Sequence, residues 1–279
     1  MHKALLCLIV LLSCATPAWA LPVCPEHPIQ LAYYEYAPFY HDGAGLDADV
    51  VDELKKRSGC GFSTILMPRA RIWKSIEVGM LDMTVSGIET TERARFGYFY
   101  HYILQKNFAL VSRQIPGDIH SLQDFIARTD LRWGVVRNFS YGEYYDPLLK
   151  ELRRQNRIHE LPTQIATFRM VQAGRIAGML AVPMIYKELL PEMQAEAAIH
   201  IADWAPEDLP VRAGLVLSRA RFSDAEAQEW GALIDAMNRD GTMLRLLEKY
   251  LPQKEAQAAL PQKCKAPPGQ SGTRKCASY

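Results

Sequence analysis

Gly79-Met80-Leu81-Asp82-Met83-Thr84-Val85-Ser86-Gly87-Ile88-Glu89-Thr90-Thr91-Glu92-Arg93-Ala94-Arg95-Phe96-Gly97-Tyr98-Phe99-Tyr100-His101-Tyr102 is the stretch whose reading decides the fold. A helix stops at Gly79, and Leu81, Met83 and Val85 then alternate as a buried strand does. The polar Ser86 and Gly87 mark its end in a loop. In an open α/β sheet the carboxyl ends of the strands border the crevice where ligands bind. Arg93 is the residue of this loop able to grip a carboxylate through two parallel hydrogen bonds.

Upstream, Ile29 to Tyr33 alternates as a first strand, and the aromatic loop Tyr34 to Tyr40 follows, with Pro38 barring a helix or central strand. A helix is expected from about Asp47 to Ser58, capped by Asp47 and stopped by Gly59. Phe62 to Leu66 reads as a second strand and Arg69 to Val78 as a second helix, with Ile72, Trp73 and Ile76 on one face. Strands alternating with helices at this spacing imply a mostly parallel sheet with ligands at one edge. Tyr98 to Asn107 is read as leaving this first unit. A second α/β series follows, with strands at Phe108–Ser112, Trp133–Val136 and Gly178–Val182. Its helices are a short one opened by Ser121 and Asp124, then Ser140 to about Arg154, Thr167–Ala173 and Met184–Leu190. Pro206 and Pro210 mark the return. Ala213–Leu217 is a strand, Ser223 to Glu226 a capping box, and the last helix ends near Tyr250.

Three motifs in order carry a family resemblance. Asp82-x-x-x-Ser86-Gly87-Ile88, then Thr90-x-Glu92-Arg93, then the aromatic run from Tyr98 resembles the signature of bacterial extracellular solute-binding proteins of family 3. Tyr36-Ala37-Pro38-Phe39 upstream, and Asn238-x-Asp240-Gly241-Thr242 with Lys249-Tyr250 downstream, extend the likeness over about residues 26 to 251. It implies an α/β, two-lobed, type II periplasmic-binding-protein-like fold, each lobe a mostly parallel sheet with flanking helices, joined by two hinge crossings. Lobe one is expected at 21–103 and 212–251, lobe two with its hinges at 104–211, and a C-terminal tail at 252–279.

The same resemblance supplies the candidate ligand-binding residues. Tyr36 matches the ring laid along the ligand, Ser86 and Gly87 a hydroxyl and a backbone N–H, and Arg93 the carboxylate holder; Phe139 and Ser140 match the lobe-two loop that closes over the ligand. That loop opens a helix, whose N-terminus favours an anion. Three features depart from the pattern. Glu89 stands where a neutral hydroxyl is usual, with one residue fewer before Arg93. Arg69 replaces an aromatic and, with Arg137, is an alternative anion holder. Ala181 and Val182 fall where an acid usually grips an α-ammonium. Glu89 is a candidate to replace that acid; otherwise it pairs with Arg93 or Arg95 and the ligand lacks an amine.

Met1 to Ala20 reads as a secretory signal peptide: a basic start, an apolar run from Ala4, and Ala18-Trp19-Ala20 before the cut. Leu11-Leu12-Ser13-Cys14 is an alternative lipoprotein box. Export to the periplasm makes disulfides the default for the remaining Cys24, Cys60, Cys264 and Cys276. Four cysteines allow three connectivities. In a right-handed βαβ unit Cys24 and Cys60 reach the same end of neighbouring strands, so Cys24–Cys60 and Cys264–Cys276 are expected.

Hydrophobic residues at 49% and charged residues at 23% are ordinary globular composition, and a net charge of +1 argues against nucleic acid as partner. No metal-ligand spacing, phosphate loop or nucleophile elbow appears, so no metal, cofactor or catalytic residue is assigned. The expected protein is a monomer that captures an amino acid or related carboxylate between its lobes for the membrane permease of an ABC transporter. The alternatives are a periplasmic cyclohexadienyl-dehydratase-like enzyme, and an accessory protein whose degenerate cleft leaves its surface to bind a partner enzyme.

Overall fold

A computed structural model describes residues 21–115, 119–208 and 210–261. The leader at 1–20 and the Cys264–Cys276 pair lie outside them. The chain opens with β1 (Ile29–Tyr33), α1 (Leu46–Ser58), β2 (Phe62–Leu66), α2 (Arg69–Glu77) and β3 (Met83–Ile88). β1 runs parallel to β2 on one side and β3 on the other. Parallel neighbours need a crossover, and α1 and α2 supply it. α1 buries Leu46, Val50, Val51 and Leu54, and Gly59 ends it in the left-handed conformation with its N–H on Lys55 O at 2.9 Å.

β3 continues through the polar pair where a loop was expected. Antiparallel pairing with β10 (Val211–Ser218) carries it to Ile88, with a bulge: Gly87 faces Gly214 and Thr84 faces Val216. The extra residue is Ser86, whose φ of 47° lies in the left-handed region. Its N–H leaves the ladder and finds a side chain instead, as described below. Glycine at 87 is dictated by packing, because a Cβ there would stand 2.1 Å from Val216 Cγ2.

Tyr98 to Asn107, read as an exit from the first unit, is instead mostly strand. β4 (Gly97–Gln105) forms the sheet edge antiparallel to β10, giving the order β2-β1-β3-β10-β4. Its aromatic residues pack against α7 (Asp224–Arg239); Tyr100 lies against Gly231. β10 returns from the second sheet, which is why it opposes both neighbours and the sheet is mixed.

The second sheet has the order β7-β6-β8-β5-β9. β5 is Phe108–Ser112, β6 Trp133–Val136, β7 Ile158–Leu161, β8 Gly178–Ala181 and β9 Ile199–Ala202. β6 is parallel to β7 and β8, and β5 antiparallel to β8 and β9. Its helices are α3 (Leu122–Ala127), α4 (Tyr145–Arg154), α5 (Gln164–Gln172) and α6 (Pro183–Glu192). α3 and α7 each begin with the capping box their sequences announce, Ser121 with Asp124 and Ser223 with Glu226.

The chain passes between the sheets at 106–107 and again before Val211. Lys106 Nζ ties the two passages, donating to Asp203 Oδ2 at 2.7 Å and Pro206 O at 3.2 Å. After α8 (Thr242–Leu247) the segment expected as tail starts with a further helix, α9 (Gln253–Ala258). Ala259 O accepts from Leu104 N at 2.7 Å and Glu255 pairs with Lys187 of α6, so this helix touches both sheets' elements. The disulfide joins Cys24 to Cys60, pinning the entry of β1 to the end of α1.

Candidate functional site

Aromatic residues of the loop after β1 build the floor of the site. Tyr36 is buried and stacks on Phe39, ring centres 4.7 Å apart, while Phe139 from the loop after β6 approaches the Tyr36 ring to 5.6 Å. Phe139 belongs to the second sheet's side, so these rings meet across the junction of the lobes.

Arg69 lies among them. It is the first residue of α2, 7% exposed, with its Cζ 3.4 Å from the centre of the Tyr34 ring, 4.4 Å from Phe139 and 5.4 Å from Tyr36. Rings stabilise a cation through their faces but leave its N–H groups unmet. Nε and Nη1 of Arg69 are buried without a hydrogen-bond partner among the described residues, as is Tyr36 Oη. Trp73, one turn along α2, also has a buried, unpartnered Nε1.

Arg93 closes the other side. Its Cζ stands 4.1 Å above the Trp73 ring, Nη1 donates to Ile88 O at 2.9 Å, and Nη2 donates to Asn138 O at 3.0 Å. The last bond crosses between the lobes. Burial and then the nearby charge of Arg69 bring the Arg93 guanidinium down to about 10. Two guanidiniums therefore bear on one buried region.

Ser86 is brought to this region, with both its donors engaged. Its Oγ donates to Asp47 Oδ1 at 2.8 Å and its N–H to Tyr102 Oη at 2.8 Å, while Tyr102 Oη donates to Asp47 Oδ1. Asp47 was expected as the cap of α1; the helix instead begins after Gly45 without a side-chain cap. Burial pushes the Asp47 carboxyl up to about 7, against the hydrogen bonds from Tyr102 and Ser86 and the charge of Arg69.

Ser140 Oγ donates to Asp146 Oδ2, and Tyr141 N–H to Asp146 Oδ1 at 2.7 Å. α4 starts only at Tyr145, and the anion at its first turn is the chain's own Asp146. Glu89 is exposed and 3.7 Å from His101 Nε2, with neither Arg93 nor Arg95 as its partner. Burial, then the charge of Arg212, holds the His101 imidazole down at about 4. Arg137 lies on the surface, 3.9 Å from Glu160.

The structure thus brings Tyr36, Arg69, Phe139 and Arg93 together and sets Glu89 and Arg137 outward. Tyr34, Trp73, Asp47 and Tyr102 are the members that sequence reasoning did not assign to a site. Tyr34 gave a signal by adjoining Tyr36. Tyr102 gave none, because its bond to Asp47 spans 55 residues.

The chain matches the model of bacterial extracellular solute-binding proteins, family 3, over residues 30–253, and it belongs to that family. Family membership implies an extracytoplasmic protein. Among solved structures it is similar to a histidine kinase sensor domain that resembles periplasmic binding proteins, at 16% identity, 84% of this chain, 98% of that chain and a TM-score of 0.68. The arginine-, lysine-, histidine-binding protein ArtJ of Geobacillus stearothermophilus is similar at 16% identity, 83% of this chain, 100% of that chain and 0.67. The VFT2 domain of BvgS from Bordetella pertussis gives 18%, 82%, 100% and 0.62. At such identities the likeness is one of fold: the two-lobed, type II periplasmic-binding-protein fold. No curated protein sequence matches the chain.

Proposed function

We propose that the protein is a periplasmic solute-binding protein that holds a small organic anion between its lobes and hands it to the permease of an ABC transporter. The observation carrying this reading is Arg69, whose buried guanidinium has two unpartnered nitrogens at the lobe junction. A buried cation with unmet N–H groups is costly even where ring faces stabilise its charge, and a ligand carboxylate is the natural partner for those groups. Arg93, Tyr36 and Phe139 surround the same place, and the fold supports closure about the two passages between the sheets. Ser86 and Gly87 shape the strand end beneath it, and the Phe139–Ser140 loop forms the lid.

Thermal-shift and calorimetric titration of the exported chain with amino acids and organic acids tests this. A solute that binds the folded protein raises its melting temperature by mass action. The increase should vanish in Arg69→Met. A panel in which every response survives that substitution would remove Arg69 as the anchor.

A further inference from the structure

Given the anion site proposed above, we infer that its ligand is an acid without an ammonium group, recognised by the donor cluster of Arg69, Tyr36 and Trp73. The unpartnered polar atoms of this cluster are Arg69 Nε and Nη1, Tyr36 Oη and Trp73 Nε1, all of which can donate. Trp73 belongs to the cluster by three relationships: it lies one turn from Arg69 on α2, it underlies Arg93, and Arg93 is bonded to Asn138, the neighbour of the Phe139 that covers Arg69.

A zwitterion would need the opposite as well: an anion for its ammonium. Each carboxylate that bears on the two arginines from inside already accepts from neighbouring groups of the chain, Asp47 through one oxygen and Asp146 through both. Asp47 Oδ1 accepts from Ser86 and Tyr102, and both oxygens of Asp146 accept, from Ser140 and from Tyr141 N–H. Glu89 faces His101, and Glu92 is exposed beside Arg93. On the second lobe Ala181 and Val182, ending β8 and opening α6, are buried and apolar. Gln164, at the start of α5, has an unpartnered amide oxygen, but the group is neutral. An ammonium enclosed here would lose its hydration, meet among these only carboxylates that already hold hydrogen bonds from the chain, and lie near two guanidiniums. A carboxylate, or a dicarboxylate, would be matched by every open donor.

Calorimetry on the exported chain with paired probes tests the inference: glutamate against glutarate, phenylalanine against 3-phenylpropanoate, leucine against 4-methylpentanoate. The deaminated member of whichever pair binds should bind at least tenfold tighter, and Trp73→Phe should weaken that member several-fold. Equal affinity within a pair, or preference for the amino acid, overturns the inference and leaves the anion site standing. Silence from all six probes at millimolar concentration overturns the anion site itself.

Discussion

Ser86 Oγ donates to Asp47 Oδ1 at 2.8 Å, so that a left-handed strand residue and the first turn of α1 are joined through a buried carboxylate. Asp47 titrates near 7 in the folded chain against an ordinary 3.8, and His101 near 4 against 6.5. Between about pH 4 and 6.5 the folded chain holds a proton at Asp47 that the unfolded chain has released. Over the same window the unfolded chain holds one at His101 that the folded chain lacks. The first effect lowers stability as pH rises, and the second raises it.

Single substitutions should therefore expose two opposite slopes that offset each other in the native sequence. Asp47→Asn should leave stability rising with pH from 4 to 6.5, and His101→Gln should leave it falling, each by up to about 1.4 kcal/mol per pH unit. Urea midpoints measured across this range check both, and parallel slopes in the two variants would show that neither group titrates as its surroundings dictate.

Arg69 should act with opposite signs on stability and on binding. Removing a buried, unpaired guanidinium relieves a desolvation penalty, so Arg69→Met should raise the melting point of the ligand-free protein, by an amount equivalent to roughly 1–3 kcal/mol. The same change should weaken solute binding by about 2–5 kcal/mol. A variant that is both destabilised and fully competent in binding would contradict the assignment.

Arg93 should govern closure. Arg93→Ala removes the hydrogen bond to Asn138 O between the lobes and the stacking on Trp73, and should open the ligand-free protein enough to enlarge its radius of gyration in small-angle scattering. Arg93→Lys should not restore closure, because an ammonium cannot stack flat on the indole while serving two carbonyls. The expected loss is about 1–3 kcal/mol. Identical scattering from all three proteins would assign the closed arrangement to other contacts.

The Cys24–Cys60 bridge closes a separation of 36 residues. Changing both to Ser should lower stability by about 3–4 kcal/mol, chiefly by freeing the unfolded chain, with solute affinity preserved because the bridge lies at the β1 entry. Denaturant titration with and without reductant should give the native protein the same difference.

The sequence by itself determined the two α/β series and the family. Strand alternation, the capping boxes at Ser121 and Ser223, the stop at Gly59 and the order of motifs around Ser86 and Arg93 are local signals, carried by residues within a few positions of one another. β4 was missed because its aromatic residues, set against α7 and β10, do not alternate cleanly between buried and exposed. The end of β3 was misplaced because polarity at Ser86 signals a loop unless a remote partner satisfies it.

Tertiary structure alone decided which polar groups are left open. Ser86 is taken up by Asp47 and Tyr102, Ser140 by Asp146, and Arg93 by two carbonyls, one of them in the other lobe. Arg69, which in sequence is one basic residue after a proline, keeps two buried nitrogens unmet. Hydrogen-bond satisfaction is a property of three-dimensional neighbours, and those neighbours lie 33 to 70 residues from Arg69 in the chain: Tyr34 and Tyr36 on one side, Phe139 on the other.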